Sequence, residues 1–255
     1  MIARDTLERA VQRAALAPNV HNTQPARWAL DDRSATLFCD TDRGLHVGDP
    51  EGRDAALSCG ATLEAMVLAL SAEGIGARVD LVPALRLVPG QGLQSVAHLR
   101  LEEGGEAQGL HEQLERRFTW RGPFDVAPIE LFGWTRSDAR LVLDTKGRDW
   151  LAERNDWASL QLMQDKGFRK ELVSWMRLFA KHPRYEYDGM NRDALRMSGT
   201  DAFGVPWVLG PLWPLLNQLG LTRGLTADAA ATKSAPVLGL SHRPRNAPRV
   251  PSAPA

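Results

Sequence analysis

Apolar residues recur at helical spacing from the first turn of the chain. Leu7, Ala10, Val11 and Ala14 fall three and four apart and mark the buried stripe of a first helix. Asp5 and Glu8 stand at capping-box spacing at its start. The pattern runs into Pro18 and stops, because proline disfavours helical backbone in the residue before it. Arg27 to Leu30 and Ala35 to Cys39 then read as two strands of a hairpin around the turn residues Asp31-Asp32-Arg33-Ser34, and Arg43 to Pro50 as a loop. The strongest helical pattern covers Arg53 to Glu73, with Ala56, Cys59, Leu63, Met66 and Leu70 on one face. Ala61, Ala65 and Ala69 add a ridge of small side chains that lets another helix come close, which predicts a central helix ended by Gly74. Ala77 to Val82 and Ser95 to Glu102 read as two further strands.

The second half is less regular. Leu110 to Phe118 predicts a short amphipathic helix, Leu131 to Thr135 a helical tail, Arg140 to Leu143 a short strand, and Trp150 to Phe179 a largely helical stretch. From Lys181 to Gly224 the period fades into a segment rich in Gly, Pro, Trp and Met. A segment this apolar does not stand free in solvent, so it is expected to fold over something as a lid. Ala235 to Leu240 reads as a last strand. His242 to Ala255, rich in Pro and Arg without a period, is expected to be disordered.

Composition narrows the class. The chain has 255 residues, with 44% hydrophobic and 24% charged positions, as in ordinary globular proteins. Its 31 basic residues balance 31 acidic ones, so no global charge draws it to nucleic acid or to a membrane surface. Asp5, Glu8 and Arg9 interrupt any N-terminal signal core, and no apolar run is expected to span a bilayer, so a cytoplasmic protein is the default. Cys39 and Cys59 lie in apolar-periodic segments and are expected to be buried free thiols rather than ligands.

Two stretches carry candidate chemistry. Between Pro18 and Pro25, the residues Asn19, His21, Asn22, Thr23 and Gln24 crowd amides and hydroxyls into a loop stiffened at both ends. Such a loop either reads the polar edge of a flat heteroaromatic ring or is a plain turn, in which Asn and Thr are common. Arg116, Arg117, Thr119 and Arg121 place three guanidiniums and a hydroxyl within six residues. Arginine meets phosphate oxygens in fork geometry, so this stretch is either a phosphate site or a solvated basic turn. Six scattered histidines lack metal-ligand spacing, and no metal site is expected. No phosphate-cradling glycine motif or nucleophile elbow occurs, and no catalytic side chain is singled out.

Ala17-Pro18-x-x-x-Asn22-x-Gln24-Pro25 resembles the flavin-contact loop of the nitroreductase superfamily. The form Val20-His21-Asn22-Thr23-Gln24-Pro25 is similar to that of its Acg-type FMN-binding subgroup, in which two nitroreductase-like units share one chain. Ala26 stands where the family usually has Trp. Arg116-Arg117-x-Thr119-x-Arg121-x-Pro123-Phe124 resembles the subgroup's phosphate-holding motif, with Phe118 and Trp120 where His and Asn are usual. Asp49-Pro50-x-x-Arg53 with Ser58-x-Gly60-Ala61 matches its central-helix signature; Asp49 also complements the helix dipole.

The resemblance implies an α+β nitroreductase-like fold, a mixed sheet flanked by helices, in two pseudo-repeats. Residues 1–108 would form the first half, 109–241 the second with a lid-like segment at 181–224, and 242–255 a tail. It implies FMN held by Pro18, Asn19, Val20, Asn22 and Gln24 at the ring and by Arg116, Arg117, Thr119 and Arg121 at the phosphate, with NAD(P)H as reductant and a nitroaromatic or quinone as acceptor. The alternatives are a flavin-sequestering protein without turnover and a scaffold that no longer binds flavin. After Ser241 the chain shows no counterpart of the subgroup's next long helix. Weak FMN binding, low or absent turnover, and an apolar face covered by the Trp-rich segment or by a homodimer partner are therefore expected.

Overall fold

The computed structural model describes residues 2–83, 85–107, 109–125, 139–225 and 229–241. The expected helical tail at Leu131 to Thr135 and the expected disorder from His242 onward lie outside the described residues. The chain divides into two compact units, one of residues 1–119 and 171–195, the other of residues 120–170 and 196–255. That division differs from a cut after residue 108: the arginine run up to Thr119 and the segment 171–195 go with the N-terminal elements.

In the first unit, helix α1 (Arg4–Ala14) buries Leu7, Ala10 and Ala14, as its period requires, with Val11 half-buried. Its start differs from the capping-box expectation. The helix begins at Arg4, so Asp5 sits inside the first turn and caps nothing, while Glu8 pairs with Arg4 at 2.8 Å. Strands β1 (Ala26–Asp31) and β2 (Ser34–Asp40) form the expected hairpin, closed by Asp32 and Arg33 between the paired Asp31 and Ser34. Helix α2 (Arg53–Ala72) follows, then β3 (Ile75–Leu81) and β4 (Leu93–Glu103). The four strands make one sheet in the order β1-β2-β4-β3, antiparallel at every step. Alternation along β2 sends Ala35, Leu37 and Cys39 to the same face, where they join α1 and α2 in one core with Met66, Leu70, Ala97 and Leu99.

Helix α2 is 20 residues long and, by length and composition, apolar enough to cross a membrane, contrary to the expectation that no segment is. Most of it is instead buried in this core on more than one side, including the predicted face and the alanine ridge at Ala65 and Ala69. Asp49 anchors its start: Oδ1 accepts the Arg53 N–H at 2.8 Å and Oδ2 the Ala55 N–H at 2.9 Å. Gly52 before it has φ +66°, and a Cβ there would lie 2.1 Å from the Leu87 carbonyl oxygen, so only glycine fits. Cys39 and Cys59 are free and buried. After β4, a short 3₁₀ turn (Gly109–Glu112) leads into the one-turn helix α3 (Gln113–Arg116). The amphipathic helix expected up to Phe118 is thus shorter and ends at Arg116, beyond which the Arg117 backbone is extended.

The second unit pairs β5 (Ala139–Val142) with the last strand and carries helix α4 (Thr145–Gln164). Helix α4 starts ahead of the apolar pattern, because the Asp144 carboxylate accepts the Gly147 N–H at 2.7 Å and caps it. Asp165 is extended and breaks the expected long helix; α5 (Lys166–Ser174) resumes beyond it. Strands β6 (Met176–Arg177) and β7 (Met190–Asn191) form a short parallel pair belonging to the first unit. The expected loss of regularity holds over 181–198, which are turns around the two-residue β7, but not from Gly199 onward. Helices α6 (Gly199–Leu209), α7 (Trp213–Gln218) and α8 (Thr222–Leu225) occupy much of that segment. Ser198 and Asp201 form a full capping box that starts α6, which keeps Pro206 inside it. Helix α9 (Ala229–Ser234) and β8 (Leu238–Ser241) complete the described chain. The fold is α+β.

Candidate functional site

Helix α1 ends at Ala14, short of the expected stop at Pro18, and the polar loop behind Pro18 closes on itself. Asn19 Nδ2 donates to the Ala17 carbonyl at 3.2 Å, and its Oδ1 accepts the Gln24 N–H at 2.9 Å. Gln24 Nε2 donates to Asn22 Oδ1 at 2.8 Å and to the Ala15 carbonyl at 3.3 Å. Val20 N–H donates to Ser58 Oγ on α2 at 3.0 Å, which pins the loop to the central helix. His21, Asn22 and Gln24 all have φ between 46° and 53°. Left-handed backbone costs a non-glycine residue roughly 1–2 kcal/mol, so three such residues persist only because these bonds over-determine the turn. The side-chain amides that the sequence offers to a ring edge are thus engaged in holding the loop's own shape. Pro18 is exposed, and Asn19, Val20, Asn22 and Gln24 are half-buried.

The arginine run begins where α3 ends. Arg117 Nη1 donates to Thr119 Oγ1 at 3.0 Å, and Nη2 to the Leu16 carbonyl at 2.9 Å. Arg116, Arg117 and Thr119 are all exposed. Arg121 is exposed as well but belongs to the second unit. The structure brings part of the two sequence motifs together. A cavity of about 240 Å³ is lined by Leu16, Ala17 and Pro18 from the loop side, Ala61 and Ala65 from α2, and Leu114 and Arg117 from α3 and its end. Its lining is apolar except for Glu64, Gln113 and Arg117. Among the described residues no cluster of metal-binding side chains occurs.

Sequence reasoning missed a buried ionic knot beside the loop. Asp188, 2% exposed, is met by three guanidiniums: Arg43 through its Nη2, Arg177 from β6 through Nε at 3.0 Å, and Arg184 through Nε at 2.6 Å. Arg43 also donates from Nε to the Thr23 carbonyl at 2.6 Å. Arg43 and Arg177 both lie over the Trp175 ring, at 5.5 and 5.4 Å from its centroid. Next to the knot, Gly189 N–H donates to the Asn22 carbonyl at 2.9 Å, and Asn22 Nδ2 donates to the Gly189 carbonyl at 3.0 Å. Burial disfavours the charged carboxylate of Asp188, but the hydrogen bonds from the three arginines outweigh it and hold its carboxyl below the usual carboxylate range. The only local signal in the sequence was the four-residue spacing of Arg184 and Asp188.

The chain is 43% identical over 83 residues to the NAD(P)H nitroreductase Acg named in Mycobacterium tuberculosis, a match covering 32% of this chain and 25% of that protein. Over that stretch this chain is similar to the Acg nitroreductase. A second M. tuberculosis protein named as an NAD(P)H nitroreductase, Rv3131, is 40% identical over 79 residues, 31% of this chain and 23% of its own. The uncharacterized M. tuberculosis protein Rv3127 is 34% identical over 130 residues, 47% and 36% of the two chains. The matches span about a quarter to a third of the length of these relatives. No family model matches the chain. Among solved structures, a nitroreductase from Desulfovibrio desulfuricans in complex with FMN overlaps 49% of this chain and 87% of its own, at 17% identity and a TM-score of 0.33. A nitroreductase family protein from Clostridium difficile overlaps 46% and 83%, at 15% identity and a TM-score of 0.33.

Proposed function

We propose that this chain binds FMN and works as a nitroreductase-type oxidoreductase, with NAD(P)H as hydride source and a nitroaromatic or quinone as acceptor. The observation that carries the reading is the cavity on which Pro18 of the amide loop and Arg117 of the arginine run meet. The donor set suits FMN at its phosphate end: Arg116 and Arg117 are cationic, Thr119 adds a hydroxyl, all three are exposed and close in sequence, and Arg117 already donates to Thr119. At the ring end the loop would contribute Pro18, Val20 and its main chain, while Asn19, Asn22 and Gln24 act by keeping the loop rigid. A cavity of about 240 Å³ is smaller than the roughly 300–1,000 Å³ of sites that enclose a whole ligand. It would therefore enclose part of the flavin, in keeping with weak binding. Bound FMN would supply the two-electron redox chemistry; the protein's own part is to hold the phosphate and to orient the ring.

Replacing Arg117 with alanine tests the assignment. Loss of a charge-assisted hydrogen bond costs about 1.5–3 kcal/mol, so FMN affinity should fall roughly ten- to hundredfold. Riboflavin, which lacks the phosphate, should bind the variant almost as well as the parent. Equal losses for both ligands remove Arg117 from the phosphate role, and purified protein that takes up no flavin at all removes the reading. A second reading, flavin sequestration without turnover, draws support from the way Gly189 closes onto Asn22 of the loop. Steady-state NAD(P)H oxidation with a nitroaromatic acceptor separates the two.

A further inference from the structure

The Asp188 knot reaches the amide loop at two places. Arg43 spans from the Asp188 carboxylate to the Thr23 carbonyl, and the adjoining Gly189 exchanges two hydrogen bonds with Asn22. One guanidinium would neutralise a buried carboxylate; this one gathers three. Only one of them, Arg43, continues to the loop by a hydrogen bond. The turn is fixed independently at Gly189. Its φ is +74°, and a Cβ there would lie 2.5 Å from the Trp175 carbonyl oxygen and 2.8 Å from Arg177 Cγ, so a larger residue would push the 188–189 turn off Asn22.

We propose that Asp188 is a positioning residue for the amide loop: it fixes Arg43 on the Thr23 carbonyl and sets the 188–189 turn against Asn22, and so holds His21, Asn22 and Gln24 in their left-handed conformation. The positioning stands on this geometry alone, and its consequence for flavin rests on the function proposed above. The charged groups that meet Asp188 are Arg43 from the loop after β2, Arg177 from β6 and Arg184 from the turn before it. Because they hold the folded-state carboxyl below its unfolded range, the clasp is intact above the unfolded value near pH 4. It is lost only as pH falls through the lowered folded value.

The test is hydrogen exchange of the Asn22, Thr23, Gln24 and Gly189 amides in the full flavin-free chain, corrected for intrinsic pH dependence, with FMN titration beside it. Arg43→Gln cuts the link to Thr23 and leaves two arginines on the carboxylate; loop exchange should rise roughly tenfold or more while the amides of β2 and β4 stay protected. Arg184→Gln removes a half-exposed arm that does not touch the loop, and should change loop exchange by less than about twofold. Asp188→Asn should loosen the loop at least as much as Arg43→Gln and abolish the acid-side loss of protection seen in the parent. FMN affinity should fall in Arg43→Gln in step with loop exchange. Equal effects of Arg43→Gln and Arg184→Gln, an unchanged loop in Asp188→Asn, or loosening spread evenly through the unit would overturn the proposal. Should Asp188→Asn fail to fold, the two arginine variants decide it alone. A parent that binds no FMN would remove the flavin reading and leave the exchange result standing.

Discussion

Helices α2 and α4 are each 20 residues long, and their surroundings are opposite. Helix α2 carries three charged residues and buries most of its length against a sheet and another helix. Helix α4 carries six, buries only Ala152, and leaves Trp150 and Trp157 more than half exposed. Their units differ in the same way. The first has a continuous apolar core drawn from five elements, α1, β2, α2, β3 and β4. In the second, the buried apolar residues among those described are Ala152, Ala202, Trp213 and Ala235, while Phe203, Trp207, Leu215 and Leu219 stay exposed. Buried apolar area is the main driving force of folding. The first unit can therefore fold on its own pattern, whereas the second presents apolar surface of the kind that marks an interaction face. The candidate site is assembled on the well-packed unit.

The largest expected effect tests that contrast directly. Leu70→Ala empties a fully buried position on α2 and should cost about 2–5 kcal/mol, read from the urea midpoint. Trp157→Ala removes a much larger side chain from α4, yet should stay within about 0.5 kcal/mol, because the ring is 59% exposed. A costly Trp157→Ala, or a cost that grows with protein concentration alongside a rising mass by light scattering, would break the comparison. It would mean that a second copy of the chain covers the α4 face in solution.

The same contrast explains what could be read from sequence. Helix α2 was legible because burial imposes a spacing of three and four on Cys59, Leu63, Met66 and Leu70, and the hairpin because Ala35, Leu37 and Cys39 alternate. Helix α4 began earlier than its apolar residues suggested, since its start is set by the Asp144 carboxylate and not by packing. Helix α6 was hidden by its Gly, Pro and Trp content, although Ser198 and Asp201 stood at capping spacing. At the site, Pro18, Asn22, Gln24, Arg116 and Arg117 were legible as local motifs, whereas the role of the amides was not. Whether Asn22 meets a ligand or Gly189 depends on a residue 167 positions away. Arg43 and Asp188 are 145 positions apart and leave no periodic trace. Ionic contacts between distant segments follow from the fold, so they are visible only once the segments are placed.

The smallest effects sharpen the comparison at the two helix starts. Both helices are anchored by an aspartate, but Asp49 is 6% exposed and receives two N–H groups, whereas Asp144 is exposed and receives the Gly147 N–H. Removing an N-terminal carboxylate cap costs roughly 0.5–2 kcal/mol. Asp49→Ala should fall at the top of that range, since it leaves the Ala55 N–H buried with its acceptor gone. Asp144→Ala should fall at the bottom, because water replaces the carboxylate at an exposed end. Thermal unfolding followed by circular dichroism reads both. The order matters more than the values: if Asp144→Ala proved the more costly, the start of α4 would be shielded in solution, and the second unit would hold more buried structure than its own side chains provide.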